Sequence, residues 1–66
     1  MWVIINGIKE EIKEGSTVAE AMARWEEHDI NVIVEINHRY IHPRSYTETI
    51  LKEGDHLELI NPAFGG

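Results

Sequence analysis

The 66-residue chain ends Asn61-Pro62-Ala63-Phe64-Gly65-Gly66. The last two residues have no side chain, so the reactive group there is the α-carboxyl of Gly66. Its reference pKa of ~3.5 leaves it ionised at neutral pH. As a carboxylate it is a poor electrophile. Adenylation would supply AMP as a leaving group and open the acyl carbon to attack. Gly65 suits that chemistry, because glycine lets the backbone extend or turn as a partner demands. It also lets the chain pass a channel too narrow for a Cβ. Pro62 fixes its own φ and limits the conformations a tail must lose on binding. Glycine averages ~7% of sequences, so a terminal pair also arises by chance in about 0.5% of chains. The body of the chain has to decide between function and accident.

Other reactive side chains form no site pattern. His38 and His42 flank Pro43 instead of sharing a helix face, and neither they nor His28 and His56 follow a metal-site spacing. With no cysteine there is no disulfide framework and no thiolate cluster. Ser16 and Ser45 lack a nucleophile elbow and a triad spacing. Glu14-Gly15-Ser16 carries a single glycine, unlike a phosphate-binding loop. Glu26-Glu27 reads as a solvated helix face. No catalytic side chain, metal site or bound cofactor is expected. The formal net charge of −6, from 12 acidic and 6 basic residues, argues against nucleic-acid binding. No apolar run reaches membrane-spanning length or makes a signal-peptide core, and a cytoplasmic protein is expected.

The elements that must position the tail follow from local pattern. Met1 to Ile5 is a β-favouring run, and Asn6-Gly7 is a strong hairpin signal. Ile8 to Ile12 returns as a strand. Glu10 interrupts its apolar face, which places it at a sheet edge. Thr17 and Glu20 make a capping box. Val18, Ala21, Met22 and Trp25 then fall on one helical face, with a helix end expected near Glu27 to Asp29. Val32 to Ile36 is a third strand, Asn37-His38 a turn, and Arg39 to Ile41 a short return that His42-Pro43 stops. Ser45 to Leu51 suggests a short helical turn. His56 to Ile60 alternates as the last strand.

One helix on one sheet makes a two-layer α+β domain with a right-handed crossover. The first and last strands are expected side by side in the middle. Residues 1–60 form the domain and residues 61–66 a flexible tail. The expected core is Val3, Ile5, Val18, Met22, Trp25, Val34, Ile36, Leu57 and Leu59. The period of two sends Trp2, Ile4, Ile33 and Ile60 to the other sheet face. Four large apolar groups there are unusual for an open face, and they are expected to form a docking patch for partners.

Several features then fit one family. Asn6 in the first turn, Gly15-Ser16-Thr17-Val18 before the helix, Asn37 after the third strand, Pro43-Arg44, Gly54-Asp55 and terminal Gly65-Gly66 together resemble the ThiS family of ubiquitin-like sulfur carriers. The likeness spans essentially the whole chain. It implies a β-grasp fold: a mixed sheet of four to five strands, order 2-1-5-3-4 or a shortened version, packed on one main helix. It also implies a carrier and not an enzyme. A ThiF-like adenylating enzyme would use ATP and magnesium to adenylate the Gly66 carboxylate. A sulfur donor on a cysteine desulfurase route would convert it to a thiocarboxylate. A ThiG-like thiazole synthase would take the sulfur for the thiazole of thiamine. Gly65 and Phe64 would be read as the tail enters each partner. Phe64 departs from the family, which usually has a small residue before Gly-Gly. Alternatives are a MoaD-like donor to molybdopterin or tungstopterin synthase, a protein modifier joined to lysine, and a TGS-like binding module.

Overall fold

A computed structural model describes residues 1–62. Strands β1 (Trp2–Ile5) and β2 (Ile8–Glu11) form a hairpin. Helix α1 (Val18–Arg24) follows, then β3 (Ile33–Ile36) and β4 (Arg39–Ile41). A 3-10 turn, Pro43–Ser45, leads on toward β5 (His56–Ile60). The five strands order as β2-β1-β5-β3-β4. β1 and β5 run parallel, and the other neighbouring pairs run antiparallel. This is the expected β-grasp, with the first and last strands adjacent in the centre.

Local chemistry explains the elements. Asn6 and Gly7 both hold positive φ, +50° and +82°. That is the turn geometry whose twist matches the flanking strands, and glycine at the second position adopts it without steric cost. The capping box is complete: the Glu20 N–H donates to the Thr17 hydroxyl, and the Thr17 N–H donates to the Glu20 carboxylate. Pro43 sits in the first turn of the 3-10 segment, where its missing N–H costs nothing. Between Ser45 and Leu51 the expected helical turn reduces to one loop of bonds, with the Thr49 N–H on the Ser45 carbonyl.

The core lies between α1 and one sheet face. Val3, Val18, Val34 and Leu57 are fully buried, with Ile5 and Met22 close behind. Ile36 and Leu59 pack against this cluster from its rim. Ile12, Ala21, Val32 and Leu51 are also core residues. Leu51 enters because the 49–51 segment is tied to the helix start. Val18 N–H donates to the Thr49 carbonyl, and Leu51 N–H to the Ser16 carbonyl. β2 is the edge strand, as expected. Glu10 faces Val3 across the hairpin on the helix side, and Ile8 at the hairpin end stays 62% exposed.

Two expectations about α1 are corrected. The helix ends at Arg24, before Glu27 to Asp29. Glu26 takes φ +56° just past the Trp25 C-cap. The Glu26 N–H bonds the Ala23 carbonyl and the Glu27 N–H bonds the Met22 carbonyl. Those two bonds define a Schellman stop, here carried by Glu where glycine is usual. Trp25 is consequently not an interior residue. As the C-cap it is half-buried at the core margin, with the Arg24 guanidinium 4.8 Å from its ring centroid. That distance is within cation–π range.

Candidate functional site

The structure brings the tail exit to the centre of the sheet. β5 runs between β1 and β3 and delivers the chain to Asn61 and Pro62 past the end of β1. Phe64, Gly65 and Gly66 lie outside the described residues.

β5 is held on both edges by hairpin-turn asparagines. On the β1 edge the Asn6 N–H donates to the Leu57 carbonyl at 2.9 Å. The Asn6 Oδ1 then accepts the Leu59 N–H at 2.8 Å. On the β3 edge the Asn37 N–H donates to the His56 carbonyl at 2.8 Å. The Asn37 Oδ1 accepts the His56 N–H at 3.0 Å, and its Nδ2 donates to the Asp55 carboxylate at 3.1 Å. Both residues have positive φ, which turns the backbone out of the strand. In each case a side-chain amide oxygen stands where the next ladder carbonyl would have been. Sequence reasoning read both as turn formers and missed the clamp. The signal available was asparagine, which tolerates this conformation and offers an acceptor, at the first turn position of each hairpin.

Trp2, Ile4, Ile33 and Ile60 all lie on the face opposite the helix. Trp2, Ile33 and Ile60 are exposed, at 42%, 38% and 36%, and Ile4 is half-buried. The register separates them into two pairs. Ile33 faces Ile60 across the β3–β5 ladder, at the tail exit. Ile4 is level with His56, four residues back along β5, which is about 13 Å at ~3.3 Å per residue. Trp2 lies farther still from the exit, and the Lys9 ammonium sits 4.8 Å from its ring centroid. The four groups therefore do not form one continuous patch. Between the pairs stand Glu58 and Glu35, directly opposed across the ladder. The expected face is right, and its apolar content is divided.

Among the described residues no group of three or more His, Cys, Asp or Glu side chains is placed to hold a metal ion. None of the described helices is long and apolar enough to cross a membrane. Burial, with Tyr40 as the second cause, pushes the Tyr46 hydroxyl above its ordinary pKa. Tyr46 lines a shallow groove of about 240 Å³ with Met22, Val32 and Pro43, beside the end of α1.

This architecture can be compared with known proteins. The family model for the ThiS family matches residues 3–66. The chain belongs to the ThiS family. A crystal structure of a thiamine biosynthesis protein (ThiS) from Geobacter metallireducens is similar at 25% identity and a TM-score of 0.85, covering 100% of both chains. A solution NMR structure of a thiamine biosynthesis protein from the same organism gives 25% identity and a TM-score of 0.80, covering 100% of this chain and 88% of the other. No curated protein matches. The ThiS match runs through Gly65 and Gly66 and includes both clamping asparagines.

Proposed function

We propose that this protein is a sulfur carrier of thiamine biosynthesis, and that the Gly66 carboxylate is the atom group on which sulfur is loaded. The observation that carries the reading is the ThiS match over residues 3–66, ending in Gly65-Gly66. The solved ThiS structures share the full fold at 25% identity. In this reading the protein is a co-substrate and not a catalyst. It works in the cytoplasm with an adenylating enzyme of the ThiF type, a persulfide donor on a desulfurase route, and a thiazole synthase of the ThiG type.

A Gly66 carboxylate oxygen attacks the α-phosphorus of ATP, and pyrophosphate leaves with the partner's magnesium. The terminal sulfur of a cysteine persulfide attacks the acyl carbon and expels AMP. A second thiol cleaves the resulting S–S bond, leaving the thiocarboxylate on Gly66 and a disulfide on the donor side. The carrier contributes a slender, correctly placed chain end. Gly65 lets that end thread, and Phe64 precedes it into the partner. One added residue after Gly66 would displace the carboxylate by ~3.5 Å, beyond what an aligned attack tolerates.

Docking is assigned to the open sheet face. Ile33 and Ile60 form the contact nearest the tail, and Trp2 and Ile4 a second contact farther down. Both the adenylating enzyme and the sulfur acceptor would use this face in turn, because both must receive the same tail.

The test is intact-protein mass after incubation with the matched adenylating enzyme, ATP, magnesium and a persulfide donor. Exchange of one terminal oxygen for sulfur is the expected result, abolished by Gly65→Val or by one residue added after Gly66. Stable linkage to lysines without thiocarboxylate would replace the carrier with a protein modifier. Neither product with any adenylating enzyme of the source genome would leave a binding module.

A further inference from the structure

The last rungs of β5 differ on its two edges. On the β3 side the ladder continues to the end, with Ile33 opposite Ile60. On the β1 side the strand has already stopped at Ile5. Parallel pairing would place the next acceptor for β5 at the backbone carbonyl of residue 6. Asn6 has φ +50° and carries the hairpin, so its own carbonyl is lost to the ladder. Its side-chain Oδ1 takes that place and receives the Leu59 N–H at 2.8 Å. Leu59 is two residues before Asn61, so this bond lies close to the point where the chain leaves the sheet. Asn37 makes the same kind of bond, at 3.0 Å, but to His56 at the opposite end of β5.

We propose that Asn6 is a positioning residue for sulfur loading: its Oδ1 sets the direction in which β5 hands over the tail, and so where the Gly66 carboxylate falls against ATP. The inference rests on the carrier reading. Asn6 touches no reacting atom and acts through Leu59. Releasing that bond lets the exit end of β5 pivot about its β3 edge. A displacement of ~1 Å at the reacting atoms is enough to cost up to ~100-fold in rate. Affinity, set by contacts on the open face, is largely spared.

Asn6→Gly is the informative variant. Glycine takes positive φ freely, so the turn is kept while the side chain and its amide oxygen are removed. Asn37→Gly is the control: it removes the equivalent bond from the entry end of the same strand, together with the Nδ2 bond to Asp55. Asn6→Asp restores an acceptor at the original place. The readouts are pyrophosphate release by the matched adenylating enzyme, as separate kcat and KM, thermal melting, and amide exchange at Leu59. We expect Asn6→Gly to speed Leu59 exchange and lower kcat at least tenfold, with KM changed less than threefold. Asn37→Gly should lower the melting temperature at least as much and keep kcat within twofold of wild type. Asn6→Asp should recover most of the kcat. If Asn6→Gly does not fold, a synthetic chain with D-alanine at position 6, which favours positive φ, lacks the oxygen and carries the same comparison. Equal kcat for the Asn6 and Asn37 variants, with wild type active, overturns the positioning role alone. A wild type that is never adenylated overturns the carrier reading, and the inference with it.

Discussion

Leu57 and Ile60 stand three residues apart on β5 and look in opposite directions. Leu57 is fully buried under α1, while Ile60 is 36% exposed on the open face. Both are large, branched and apolar, so composition does not distinguish them. The distinction comes from which side of the sheet the helix covers. Among the described residues a single α-helix packs on the sheet, and it can cover only one face. Stability is therefore concentrated on the covered face, and the other is open to the contacts proposed for partners. The pair Ile33 and Ile60 can change without unsettling the core, whereas Leu57 cannot.

The largest effect should come from the covered face. Leu57→Ala is expected to cost about 3–5 kcal/mol, the range for a truncated interior leucine with little room to relax. Small domains have only about 5–15 kcal/mol in total, so chemical denaturation should show a steep fall or no folded state. Retention of the wild-type midpoint would contradict the packing. Trp25→Ala tests the margin between the two regimes. A half-buried C-cap ring should cost about 2 kcal/mol, less than a fully buried tryptophan. A loss as large as that of Leu57→Ala would return Trp25 to the interior.

Glu26→Gly touches neither face and acts on the backbone at the end of α1. A non-glycine residue pays roughly 1–2 kcal/mol for the left-handed conformation, and glycine's greater chain entropy returns part of it. A gain of about 1 kcal/mol is expected, read as a raised melting temperature. A loss would show that the Glu26 side chain has a compensating contact. Ile60→Glu should move stability least, within about 0.5 kcal/mol, as for most surface changes. It should nevertheless weaken binding to the adenylating enzyme, measured by titration calorimetry. Unchanged affinity would move the docking site off the open face.

Much of the fold was legible because local signals agreed with the global arrangement. Asn6-Gly7, the Thr17–Glu20 box and the β-branched runs each specify one element, and all are where the residues put them. The misses share a physical cause. The helix stop was obscure because Glu26 performs a task that normally advertises itself with glycine. Leu51 is absent from the expected core because its burial depends on a bridge between Thr17 and Ile50, residues distant in sequence. The split of the outer apolar groups was invisible because period two gives the face of a residue but not its register against a neighbouring strand. The asparagine clamps were hidden for a similar reason. The turn propensity of Asn6 is local, while its acceptor serves a residue 53 positions away.

That separation also constrains how the molecule comes into being. The β1–β2 hairpin, α1 and the β3–β4 hairpin can each form transiently from nearby residues. None of them closes the sheet, because its middle rung is β5, the last strand in the order. Joining β1 to β5 requires closing almost the full length of the chain, an entropic cost that must be met before the contact returns anything. Such topologies fold more slowly than helical bundles of equal length. A nascent chain would remain uncommitted until residues 56–60 are available, then collapse in one cooperative step. Stopped-flow refolding should accordingly show a single exponential, and truncation before His56 should leave no folded fragment.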